Sequence, residues 1–160
     1  MFTLLVRRAN ERVGVTELIR GDDGRLRVGS ERNVASADLA GVVRAGESAS
    51  TRWVWDDTAR WYPRLLEQGL RVDRCVDLRL CHALLRASAS TLGAALHGAA
   101  PGGWDVPQAA SIDSTALFVV EPESLPDPLG EFLLQRDAIE ASPDRAKLEL
   151  LTTAESTGAL

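Results

Sequence analysis

Residues 52–69 read Arg52-Trp-Val-Trp55-Asp-Asp57-Thr-Ala-Arg60-Trp-Tyr-Pro63-Arg64-Leu-Leu-Glu-Gln-Gly69, and the chain continues as Leu70-Arg-Val-Asp-Arg-Cys75-Val-Asp77-Leu-Arg-Leu-Cys81-His-Ala-Leu-Leu85. Arg52 to Trp55 is short, aromatic and β-branched, and Asp56-Asp57 closes it, which predicts a strand. Alternation places Trp53 and Trp55 on one face of that strand. A helix ending at Gly69 follows, with Leu65, Leu66 and Leu70 as its apolar side. Its start has two solutions. With Asp57 as N-cap, Pro63 sits inside the helix at a cost of about 3 kcal/mol. With a start nearer Tyr62, an irregular turn comes first. Val72 to Val76 predicts another strand. Asp77 then caps a helix to about Ala87, with Leu78, Cys81, Leu84 and Leu85 as its stripe.

Upstream, Phe2 to Val6 is a short apolar run, and Val13, Val15 and Ile19 alternate along a second one. Gly21-Asp-Asp-Gly24 is a strong turn signal, and Arg25-Leu-Arg-Val28 alternates with period two. Two or three antiparallel strands are expected. Ser36 is placed to cap a helix to about Ala45, with Leu39, Val42 and Val43 on one face and Gly46 as its stop.

Downstream, a small helix is expected from Ser90 to His97, ended by Gly98. Residues 98–128 hold Pro101, Pro107, Pro122, Pro126 and Pro128 with Gly102 and Gly103, and Ala116 to Val120 is their one apolar run. Such a stretch predicts a linker or a docking segment over the first 100 residues. Asp127-Pro128 and Ser142-Pro143 each set a capping side chain before a proline at the first helical position. The first of these helices would present Leu129, Phe132, Leu133 and Ile139, the second Leu148, Leu151 and Ala154. The second fades at Gly158-Ala-Leu160 with little to pack on, so the chain is expected to be an N-terminal piece of a longer polypeptide. A natural short protein is the competing expectation.

The 160 residues, 45% of them apolar, suit one ordinary domain and exclude wholesale disorder. No apolar run approaches the roughly 18 residues of a membrane span. The start does not read as a secretory signal. Two cysteines, Cys75 and Cys81, exclude a disulfide framework, and a cytoplasmic setting is expected. Arginine outnumbers lysine 17 to 1. Residues 1–100 carry 15 basic and 12 acidic side chains and residues 101–160 carry 3 and 11, so the net charge of −5 belongs to the acidic tail. A weakly basic front of this size does not argue nucleic-acid binding unaided.

In wording and in the order strand, loop, helix, strand, capped helix, residues 52–86 resemble the second motif region of the 3′–5′ exonuclease domain in family A DNA polymerases. They are closest to actinobacterial proteins labelled bifunctional 3′–5′ exonuclease/DNA polymerase. Residues 1–50 match only in element order, and the sequence after Ser142 is weakly similar to the segment that joins this domain to the polymerase. The resemblance implies an α/β fold, a ribonuclease H-like (DnaQ-type exonuclease) mixed sheet with flanking helices. Residues 1–100 would be the exonuclease-like domain, 101–128 a linker or docking segment, and 129–160 helices leading toward a polymerase module.

Two-metal phosphodiester hydrolysis needs hard oxygen ligands around ions about 3.5–4 Å apart. In the family these are an Asp-x-Glu on the first strand, an Asp in the helix after the second motif's strand, and an Asp in a late helix with a Tyr four residues before it. Here the first strand reads Phe2-Thr-Leu-Leu-Val-Arg-Arg8, Trp61 holds the second place, and Leu66 follows the only tyrosine, Tyr62, at that spacing. Asp77 matches the family's helix-opening Asp, whose implied role is a cap. The resemblance therefore implies the fold with its metal site lost, Trp61 filling the vacated volume. It further implies a non-catalytic scaffold of a DNA-directed DNA polymerase acting in replication or repair. This chain would hold no cofactor, Mg²⁺ would serve the parent polymerase, and the partners would be DNA and the downstream polymerase domain, with no membrane.

Other constellations are weaker. Asp56-Asp57 reads as a turn and N-cap pair, and Asp22-Asp23 as a hairpin tip. Cys75, Cys81 and His82 do not have zinc spacing, and Pro101-Gly-Gly103 is no phosphate loop. Arg60 and Arg64, one helical turn apart, are placed to touch a DNA backbone. Two alternatives stay open. One is an active metal-dependent exonuclease using Asp56, Asp57 and Asp77. The other is a stand-alone interaction module.

Overall fold

The computed structural model describes residues 1–105 and 127–155. The expected apolar run Ala116 to Val120, most of the 101–128 segment and the last residues to Leu160 lie outside them. Three strands open the chain: β1 (Phe2–Arg8), β2 (Arg12–Arg20) and β3 (Leu26–Ala35). A 3₁₀ turn, Ser36–Asp38, leads into α1 (Leu39–Ser48), followed by β4 (Arg52–Trp55), α2 (Thr58–Glu67), β5 (Arg74–Asp77) and α3 (Leu78–Ala87). Then come a 3₁₀ turn at Ala89–Thr91, the short α4 (Ala95–Gly98), α5 (Pro128–Ala141), α6 (Arg145–Leu151) and the two-residue β6 (Ala154–Glu155).

The strands form one mixed sheet in the order β3-β2-β1-β4-β5-β6. β1, β4 and β5 run parallel, while β2 and β3 form an antiparallel meander from β1 and β6 closes the far edge antiparallel to β5. The parallel strands are short and apolar on both sides, so both faces need cover. On one face Leu5, Trp53, Trp55 and Cys75 pack against Leu39 and Val43 of α1 and Trp61, Tyr62 and Leu65 of α2. On the other, Phe2, Leu4, Val54 and Val76 pack against Leu78 and Cys81 of α3 and Phe132 of α5. β3 is a mostly exposed edge carrying Arg27, Glu31 and Arg32, charges that discourage pairing with another chain.

Polar groups tie α5 to α3. His82 Nδ1 lies 2.7 Å from Glu131 Oε1, and Gln135 Nε2 donates to that oxygen at 2.6 Å and to the Leu78 carbonyl at 2.8 Å. All three side chains are buried. His82 Nε2 is 3.3 Å from Asp105, which Arg86 also reaches at 3.2 Å. Beside them Arg136 grips Glu149 of α6 through both carboxylate oxygens and stacks over Phe2. These contacts seat residues 127–155 on residues 1–105.

Of the two starts left open for α2, the structure has the one capped by Asp57, at Thr58, with Pro63 inside. The lost amide costs less than exposing Trp61, Tyr62 and Leu65 would, all three of which that turn buries. Several other local expectations need correction. Leu66 and Leu84 lie off the buried stripes and are exposed, and His82 takes the inward place on α3. On β2, Leu18 is buried and Ile19 is exposed. Ser36 does not cap α1: its hydroxyl and amide both donate to the Glu11 carbonyl at 2.8 Å. Gly46 does not stop α1, which runs to Ser48. A Cβ there would run into the Trp53 ring, so the glycine serves packing.

The single helix expected from Ser90 to His97 is a 3₁₀ turn and a separate four-residue helix. Of the apolar set expected on α5, Phe132 and Ile139 are buried while Leu129 and Leu133 are only half-buried. Ser142 closes a turn by accepting from Asp144 N at 3.1 Å, which delays α6 to Arg145. Leu151 is exposed, and Ala154 lies in β6 rather than on the helix.

Gly46→Ala should destabilise the protein by about 1–3 kcal/mol, because overpacking against Trp53 outweighs the helix-propensity gain. Urea unfolding would show a lower midpoint; an unchanged or higher midpoint would refute the packing role. The Arg136 pair gives a pH signature. The Glu149 carboxyl is held below the usual glutamate range by its hydrogen bond to Arg136 and by that charge. Its stabilisation is complete above the unfolded pKa and is lost as pH falls through the folded one. Glu149→Gln should therefore flatten the acid limb of a stability–pH curve there, with little change in the limb's shape at neutral pH.

Candidate functional site

The C-terminal ends of β1, β4 and β5 share one rim of the sheet, where ligand groups of parallel α/β sheets collect. Asp56, Asp57 and Asp77 all stand there, and each carboxylate is taken by a donor of the fold. Asp56 is 4% exposed. It accepts from the Trp61 indole N–H through Oδ1, and Arg60 Nη1 lies 3.4 Å from Oδ2. Asp57 is the N-cap of α2, accepting from Ala59 N at 2.9 Å. Asp77 accepts from Leu80 N at 2.9 Å, capping α3, and from Thr58 N at 2.7 Å, the first amide of α2. One carboxylate thus satisfies orphan amides of two helices.

Trp61 is buried beside these groups. Its ring stacks on Trp55 at 6.4 Å between centroids with an interplanar angle of 16°. The Arg7 guanidinium lies 5.4 Å over the Trp61 ring, and Arg7 Nη2 donates to the Arg60 carbonyl at 3.1 Å. Burial holds the Arg7 guanidinium below its ordinary value; Arg60 and Arg64 push the same way, and Asp56 and Asp57 oppose them. An Arg–Trp–Trp stack therefore occupies this rim. A divalent ion does not fit it: β1 offers no carboxylate, an indole fills the space, and the nearby carboxylates are committed to N–H groups. Among the described residues no group of three or more His, Cys, Asp or Glu side chains is placed to hold a metal.

Arg60 and Arg64 project from α2 as its helical period requires. Arg60 is partly buried against Asp56, while Arg64 is exposed and lines a groove between α2 and the turn joining β1 to β2. That groove also brings in Arg7, Arg8 and Arg12, which the sequence did not single out. A signal was available: Arg8 and Arg12 flank the short link between two expected strands and so face each other across the hairpin.

Cys75 and Cys81 are both free and buried; burial, with the Asp77 charge, raises both thiols, Cys75 to about 11. Unreactive thiols of this kind are packing groups. No helix of the described residues is long and apolar enough to cross a membrane. Compared with known proteins, the chain matches no family model, no curated protein and no solved structure.

The shared cap has a measurable consequence. Asp77→Ala should cost roughly 2 kcal/mol or more and Asp57→Ala roughly 1 kcal/mol, as expected for two orphaned amides against one. Denaturant unfolding of both variants would test the ranking, and equal losses would contradict the double role.

Proposed function

We propose that the chain is a degenerate, non-catalytic 3′–5′ exonuclease-like domain that serves as a scaffold in a DNA-directed DNA polymerase of family A, acting in replication or repair. The observation that carries this is the pairing of a sheet order with a rim chemistry. The order β3-β2-β1-β4-β5, with β2 antiparallel to its neighbours, is the layout expected for a ribonuclease H-like fold. Where that fold would carry metal-binding carboxylates, the strand offers leucine, valine and arginine, and α2 offers Trp61. The similarity of residues 52–86 to the family's second motif region adds to the same reading.

A scaffold needs rigidity at that rim rather than open coordination positions, and the Arg7–Trp61–Trp55 stack supplies it. The parent polymerase would use Mg²⁺ and bind DNA, with Arg60 and Arg64 as the contacts this domain adds. An active exonuclease built on Asp56, Asp57 and Asp77 is disfavoured, because using them as ligands would uncap α2 and α3 and strip the Trp61 indole of its acceptor.

Incubation with single-stranded DNA and Mg²⁺ or Mn²⁺ should give no metal-dependent digestion. Digestion abolished by Asp57→Ala would overturn the non-catalytic assignment. The parent-polymerase assignment has its own test, the reading frame after Leu160: polymerase motifs there would support it, and a stop codon with none would remove it.

A further inference from the structure

We propose that His82 is a pH-dependent latch: it fastens residues 101–105 to α3 while its imidazole is protonated at both nitrogens, and loosens them when one proton leaves. The turn that ends at Asp105 is held against α3 by a short set of contacts. Trp104 shares a buried cluster with Phe2, Leu78 and Phe132. Arg79 Nη1 donates to the Trp104 carbonyl at 3.2 Å, and the same guanidinium lies 5.6 Å over the Trp104 ring. Asp105 Oδ2 accepts from Gly102 N at 2.7 Å and from Arg86 Nη1 at 3.2 Å. Its other oxygen, Oδ1, faces His82 Nε2 at 3.3 Å.

Both ring nitrogens of His82 therefore face a carboxylate, since Nδ1 lies 2.7 Å from Glu131 Oε1. His82 is 6% exposed and Glu131 7%, so neither has free access to water in place of its partner. A neutral imidazole has one N–H and one lone pair. On losing a proton, one nitrogen must turn its lone pair toward a carboxylate oxygen. Glu131 is the deeper partner, and Gln135 Nε2 donates to the same oxygen at 2.6 Å while also binding the Leu78 carbonyl at 2.8 Å. The ring thus keeps its proton on Nδ1, and the contact that fails is the one to Asp105.

The other ionisable groups around the ring are committed elsewhere. On α3, Arg79 and Arg86 are directed to Trp104 and Asp105, and burial raises the Cys81 thiol, which stays neutral. On α5, Arg136 is turned to Glu149, and Glu140 pairs with Arg20. Asp77 at the end of β5 accepts from the Leu80 and Thr58 amides. α4, also packed on α3, contributes His97. The Asp105 carboxyl is held below the ordinary aspartate range, first by the Gly102 amide and then by the charges of His82 and Arg86. Its contacts are complete above the unfolded carboxylate value and are lost as pH falls through the folded one. The acid limit of the latch is therefore set by Asp105 and the upper limit by His82, the side-chain type that exchanges its proton between about pH 5 and 8. Above that limit Asp105 is left with Arg86, and Trp104 gains access to water. The latch does not depend on the polymerase assignment.

The test is nuclear magnetic resonance of the ¹⁵N-labelled full chain, titrated across about pH 5 to 8. The Trp104 indole N–H signal is assigned by its loss in Trp104→Phe, and its exposure is read as line broadening by a soluble gadolinium chelate. Broadening should rise toward alkaline pH with the same midpoint as the His82 ring signals. His97→Gln, which leaves His82 as the only imidazole, should not change that midpoint. Asp105→Asn should move the His82 midpoint to lower pH, because it removes an anion that favours the charged ring. His82→Gln should abolish the transition. The latch is overturned if Trp104 stays protected across the range, if its midpoint departs from that of His82, or if the transition survives in His82→Gln. Should His82→Gln fail to fold, Asp105→Asn in the part-exposed turn still decides: an unmoved midpoint there overturns the latch.

Discussion

Two-sided burial of β1, β4 and β5 is the condition on which the rest of the structure depends. Leu4 and Leu5, adjacent on β1, are each 1% exposed, and so they point to opposite faces and both need partners. The same holds for Trp53, Val54 and Trp55. A sheet with three such strands cannot face water on either side, so α1 and α2 must lie over one face and α3 with α5 over the other. Each connection between neighbouring parallel strands then has to cross over through a helix. Asp77 joins the two layers at one point, since α2 and α3 belong to opposite faces and both begin at its carboxylate.

That arrangement also accounts for the chemistry of the rim. A carboxylate in such a place has two uses, holding a cation or satisfying the amides that open helices. Here the amides and an indole N–H take all three aspartates, and the stacked tryptophans fill the space between. The charge left over is positive, because the arginines at the end of β1 and along α2 outnumber the carboxylates still free to balance them. The rim is thus closed to a divalent ion.

Much of the fold was legible in local pattern. The strand Arg52–Trp55, the Asp57 and Asp77 caps, the Gly21–Gly24 turn and the Asp127-Pro128 helix start each depend on residues within a turn or so of one another, and short-range hydrogen bonding decides them. The errors share a cause. Gly46 was read as a stop and Pro63 left the start of its helix undecided, but the close approach of Trp53 and the burial of Trp61 outweigh propensity. His82, Glu131, Gln135 and Arg136 gave no local signal, because the partners that allow their burial lie about fifty residues away in sequence or on a neighbouring helix.

By itself, the sequence determined the strand and helix order, the caps and the lack of carboxylates on the first strand, since composition and near-neighbour geometry carry those. It also determined that Arg60 and Arg64 share a helix face. Only the tertiary structure decided that Asp77 serves two helices and that Arg7 stacks on Trp61. The physical reason is distance along the chain. Arg7 and Trp61 are some fifty residues apart, and it is the parallel pairing of β1 with β4, forced by burial on both faces, that brings them together.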